Sequence, residues 1–95
     1  MIYRSRVDII SQILDAANGG RVKKTNIMYK AFLGYNQVKE QLAILTEKDL
    51  LRYDEDTQTF KTTEKGLRFL QIYNLIGDMI KEEEEEQQEQ LAKGE

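Results

Sequence analysis

A mainly α fold, α+β in detail, is predicted by three features of this 95-residue chain. Apolar residues recur at helical spacing in three short segments near the N-terminus. Two β-prone runs, Leu50 to Tyr53 and Thr59 to Thr62, flank the polar stretch Asp54-Glu55-Asp56-Thr57-Gln58 and read as one hairpin. A long helix with an apolar stripe follows the hairpin, and no Pro interrupts the chain anywhere.

In the first helix Ser5 is the expected cap, and Val7, Ile9, Ile10, Ile13, Leu14 and Ala17 follow helical spacing until Asn18-Gly19-Gly20 ends it. Arg21 to Lys24 is short and basic and reads as a minimal strand. Thr25 is expected to cap a second helix, Asn26 to Ala31, interrupted by Phe32-Leu33-Gly34-Tyr35. The third helix starts near Asn36 and runs to about Lys48, with Val38, Leu42 and Leu45 on its buried face. Thr63 and Glu64 open the last helix. Phe69, Tyr73, Ile76 and Ile80 step along it at heptad spacing, and the pattern stops at the run Glu82 to Glu86. Repulsion between glutamates four apart predicts that order fades after roughly Glu86.

Helix, short strand, helix, turn, helix, hairpin and long helix is the order of a winged helix-turn-helix, with the hairpin as wing. Specific residues carry a further resemblance. Lys24 to Ala31 (KTNIMYKA), Leu33-Gly34-Tyr35, Leu42 with Leu45, Leu50-Leu51, and Thr63-Glu64-Lys65-Gly66 with Phe69-Leu70 resemble the small archaeal winged-helix proteins of the Sulfolobus 10a type and related archaeal predicted transcriptional regulators. The resemblance spans roughly residues 4 to 80. It implies a DNA-binding domain and dimerisation through the long C-terminal helix as an antiparallel coiled coil. Two positions depart from that family's pattern. Gly34 stands where a capping Ser is common, and Asp49 replaces a turn Gly, although Asp tolerates the left-handed conformation better than most residues.

On this reading three units follow: the winged helix at 4–66, a dimerisation helix at 67–81 and an acidic, partly disordered tail at 82–95. Asn36, Gln37 and Lys39 are the candidates for base contact, since amides pair with adenine and Lys with guanine in the major groove. Phosphate contact is expected from Lys23, Lys24, Thr25, Lys30, Tyr35, Arg4 and Arg6, with Arg52 and Lys61 on the wing. Tyr29 and Tyr35 bracket the turn, where packing is the first expectation and a hydroxyl to phosphate the second. Phe69, Tyr73, Ile76, Met79 and Ile80 are the expected dimer interface.

Composition narrows the function. The chain carries neither Cys nor His, which removes disulfides, thiol nucleophiles, imidazole bases and zinc fingers. No phosphate-binding loop occurs and no spacing suggests converging catalytic groups, so neither an enzyme nor a cofactor or metal is expected. No apolar run is long enough to span a membrane and no signal peptide opens the chain, so a cytoplasmic, nucleoid-associated protein is expected. The net charge of −3 combines a mildly basic body, residues 1–80 at +2, with a tail at −5. The leading expectation is a dimeric transcriptional regulator on double-stranded DNA. The alternative is a winged helix that binds itself or transcription machinery without DNA, favoured by a charge-neutral third helix and the acids of the wing tip.

Overall fold

The computed structural model describes the backbone of residues 4–93 and the side chains of residues 4–81. Helix α1 (Arg6–Ala16) opens on a reciprocal cap. The Asp8 N–H donates to Ser5 Oγ at 3.1 Å and the Ser5 N–H donates to Asp8 Oδ2 at 3.0 Å, satisfying two otherwise free amides. Beyond Ala17 the chain reverses through left-handed Gly19 and Gly20.

Val22 then exchanges two backbone hydrogen bonds with Phe60, of 3.1 and 2.8 Å, so the minimal strand is a single bridge onto the hairpin. That bridge sets where α2 (Lys24–Lys30) begins. The expected Thr25 cap is corrected: the N-cap is Lys23, without a side-chain cap, and Thr25 lies inside the first turn. The chain turns helical as soon as it leaves the bridge, and this tertiary anchor overrides the local preference of Thr25.

Helices α2 and α3 (Tyr35–Glu47) end alike. Leu33 N–H reaches Met28 O at 3.0 Å and Leu50 N–H reaches Leu45 O at 2.9 Å. Phe32 and Asp49 occupy the left-handed position at φ 52° and 61°. The tolerance expected of Asp49 is therefore used. Strands β1 (Leu51–Asp54) and β2 (Thr59–Thr62) pair antiparallel, with Leu51 opposite Thr62, Arg52 opposite Lys61, and Tyr53 opposite Phe60.

The core is one cluster in which Ile13, Leu14, Ile27, Val38, Leu45 and Leu51 are fully buried. The expected face of α3 supplies three of its members, Val38, Leu42 and Leu45. Helix α4 (Glu64–Lys93) is capped by Thr63, whose Oγ1 accepts the Gly66 N–H at 3.1 Å, and anchored by buried Leu70. Gly66 allows the close approach of α4 to the end of α3. A Cβ there would lie 2.5 Å from Leu50 O and 2.6 Å from Thr62 Cγ2. Backbone and a buried side chain cannot yield cheaply, so Gly66→Ala is expected to destabilise the fold by about 1–3 kcal/mol, read as a lower urea midpoint at unchanged slope.

The boundary read at 66/67 falls inside α4 rather than between elements. The backbone is helical as far as Lys93, and the expected fading of order after Glu86 falls on residues whose side chains lie outside those described. Glu and Gln are strong helix formers and no Pro stops them.

Candidate nucleic-acid interface

Helix α3 turns Val38, Leu42 and Leu45 inward, which leaves Asn36, Gln37, Lys39 and Glu40 exposed on its outer side. Asn36 and Gln37 sit in the first turn, behind the uncapped Gly34. Beside them a groove of about 610 Å³ runs between the start of α2, α3 and the hairpin. Lys23, Lys24, Thr25 and Lys39 line it together with Gln58 and Tyr53. Its apolar floor includes Leu42 and Phe60, and among the described residues no carboxylate lines it. Lys24 Nζ lies 4.8 Å from the Tyr35 ring centre and donates to its hydroxyl at 3.5 Å. Three ammonium groups therefore share a groove with the exposed side of a helix that a two-helix turn projects outward.

Residues 3–81 match the family model described as winged helix-turn-helix. The chain belongs to the winged helix-turn-helix family. No curated protein matches it.

In winged-helix terms α2 and α3 form the helix-turn-helix and β1–β2 the wing. The remaining expected contacts do not all gather at the groove. Successive strand residues alternate between faces, so Arg52 and Lys61 lie on the face of the wing opposite Tyr53 and Phe60, whose ring centres are 4.8 Å apart. There the two cations stand directly across from each other, a repulsive pairing unless an anion comes between. Lys65 and Arg68, which the sequence reading did not assign, line the same cleft, as do Asp49 and Glu64. Lys30 lies elsewhere, beside Gln12 and Asp15 of α1. Arg6 is exposed at the start of α1.

Arg4 does structural work. Its guanidinium donates to the carbonyls of Ala31 and Phe32, the latter at 2.8 Å, and to Gln12 Oε1 at 2.6 Å. It thus closes the C-terminal end of α2, where cations are favoured. Packing at the turn was the first expectation for Tyr29 and Tyr35. Instead they are 72% and 57% exposed, and Phe32 between them is 82% exposed, because Ile27, Ala31 and Leu33 already fill the space beneath. Among the described residues no helix is long and apolar enough to cross a membrane.

The expected dimer stripe divides in two. Phe69 packs on the core, and the half-buried Tyr73 donates its hydroxyl to Asp8 Oδ1 on α1. Ile76, Met79 and Ile80 remain exposed, joined by Ile72 and Leu75, all five between 52% and 60%. Ile72 and Leu75 were not in the expected interface, which took the row Phe69, Tyr73, Ile76 and Ile80 and only Met79 from the neighbouring row 72, 75 and 79.

The Tyr73 hydroxyl, together with the Ser5 amide and hydroxyl, holds the Asp8 carboxyl below its ordinary value of 3.8. The same hydrogen bond pushes the Tyr73 hydroxyl up from 10.0. A depressed carboxyl stabilises the fold above its unfolded-state value and loses that contribution as pH falls through the folded one. The melting-temperature gap between the wild type and Asp8→Asn is therefore expected to be constant from pH 7 to about 5 and to shrink below about pH 4. Calorimetry across that range measures it.

Proposed function

We propose that this winged helix is a dimeric DNA-binding transcriptional regulator of the small archaeal type, acting in the cytoplasm without cofactor or catalysis. The observation that carries the reading is the groove in which Lys23, Lys24 and Lys39 flank the exposed side of α3, with no carboxylate among the described residues that line it. In the proposed complex α3 enters the major groove, Asn36, Gln37 and Lys39 meet base edges, and Lys23, Lys24, Thr25 and Tyr35 hold the flanking phosphates. Arg52 and Lys61 on the far face of the wing reach a separate stretch of backbone. Arg4, Arg6 and Lys30, which lie away from the groove, add at most peripheral phosphate contacts in this arrangement.

Dimerisation is part of the proposal, through Ile72, Leu75, Ile76, Met79 and Ile80. These positions follow the i, i+3, i+4, i+7, i+8 pattern of a helix face that packs on another. A lone chain leaves this face in water, whereas a second copy covers it. Selection of bound duplexes from a random pool tests the proposal. Enrichment of two related half-sites, about 10 base pairs or a multiple apart, is the expected result. A pool that remains unbound at low salt contradicts it. The acids Glu55 and Asp56 at the wing tip favour a second reading, a winged helix that binds protein only, and that outcome would point to it.

A further inference from the structure

We infer that the turn between α2 and α3 is a platform for unpaired bases, on which single-stranded DNA stacks against Tyr29, Phe32 and Tyr35 while Lys24 and Arg4 meet its phosphates. The inference goes beyond the duplex reading above and needs neither a dimer nor a base-paired ligand.

The three rings stand within seven residues of chain, on the outside of the turn. Phe32 N–H donates to Tyr29 O at 3.3 Å, so those two residues belong to one tight turn, and Tyr35 opens α3 just beyond it. Phe32 is the least expected of the three. It holds the left-handed position, φ 52°, that glycine usually takes, yet its side chain is the most exposed of the large apolar ones among the described residues. A bulky residue in that conformation, with no packing to favour it, is explained by something the ring itself touches. None of the three rings shares in the ring pair formed among the described residues, Tyr53 with Phe60, so their faces are open to a ligand.

Charge names the ligand. Residues 21–39 carry five cations, Arg21, Lys23, Lys24, Lys30 and Lys39, and no acid. Two cations are fixed at the rings themselves. Lys24 Nζ lies 4.8 Å from the Tyr35 ring centre, and the Arg4 guanidinium donates to Phe32 O at 2.8 Å. Within 21–39 the exposed large apolar side chains are these three aromatics, with no aliphatic neighbour to build a dry protein contact. Flat rings among cations match an anionic chain whose units each offer a π-face. In a duplex those faces are covered by neighbouring bases, so only an unpaired strand presents them.

The test titrates the full chain into a labelled oligothymidine of about 15 nucleotides, with a duplex measured alongside. The chain has no Trp and five Tyr, so stacking on Tyr29 and Tyr35 should also quench its tyrosine emission. Phe32→Gly should leave the chain folded, because glycine accepts the left-handed conformation. It should still weaken single-strand binding about tenfold, and Tyr29→Ala added to it should bring the loss to about 10²-fold. The salt dependence should keep its slope, since rings rather than phosphate contacts are removed, and duplex affinity should not change. Wild-type binding to duplex but not to oligothymidine would overturn the inference and leave the duplex reading standing, as would single-strand binding indifferent to both substitutions. A chain that binds neither would remove both. Self-association abolished by the two substitutions, without single-strand binding, would make the patch a protein contact and overturn the inference as well.

Discussion

Replacing Lys23, Lys24 and Lys39 together by Ala is expected to lower duplex affinity by about 10²- to 10³-fold near 0.1 M salt, with an unchanged fold. In the proposed complex each lysine supplies one exposed contact to phosphate, and a loss of about 1 to 1.4 kcal/mol apiece gives that range. The log–log salt dependence should become shallower by about 0.9 for every phosphate contact removed. Stability should hardly move, because all three side chains line a solvent-filled groove and contribute nothing to the buried cluster. Fluorescence anisotropy gives the affinities and circular dichroism confirms the fold. If the triple substitution bound duplex as the wild type does, the groove would not be the interface.

A comparable loss is expected from Leu75→Asp with Ile76→Asp. Both positions are exposed in the single chain, at 60% and 52%, so the fold of each protomer should lose little. The pair should separate, since two charges per protomer would be buried against their symmetry mates without partners. A duplex carrying two half-sites would then be held by one domain at a time, and apparent affinity should fall about 10²- to 10⁴-fold through loss of avidity. Light scattering reads the mass and anisotropy the binding. A monomeric variant with undiminished affinity would show that one domain suffices.

The order of elements was legible because each is marked by local chemistry. Ser5 caps, Gly19-Gly20 reverses the chain, Val38, Leu42 and Leu45 are spaced for a helix face, and two β-prone runs enclose a polar loop. Legibility failed where tertiary contacts override local preference. The Val22–Phe60 bridge moves the start of α2 ahead of Thr25, and the end of α2 takes up the Arg4 guanidinium as a cap. A list of cations also cannot say which face each one occupies. Strand alternation separates Arg52 and Lys61 from the groove that joins Lys23 to Lys39, and Lys30 turns toward α1. Gly66 stood out only as part of a motif, and its reason, contact with Leu50 O, is between elements far apart in the chain.

The groove and the α4 face are separate surfaces with complementary roles in the proposed complex. Exposed α3 supplies selectivity, the lysines supply salt-dependent affinity, and the apolar row on α4 sets the spacing between two such units. The mild positive charge of residues 1–80 fits a protein that depends on a few placed cations rather than on a uniformly basic surface.

The most direct test of DNA binding by a dimer is anisotropy of a labelled duplex titrated with the wild-type chain across a salt series, with light scattering on the same samples. A particle of twice the chain mass, with affinity that falls linearly on a log–log plot as salt rises, is the expected result. A folded dimer with no affinity for duplex even at low salt would contradict it.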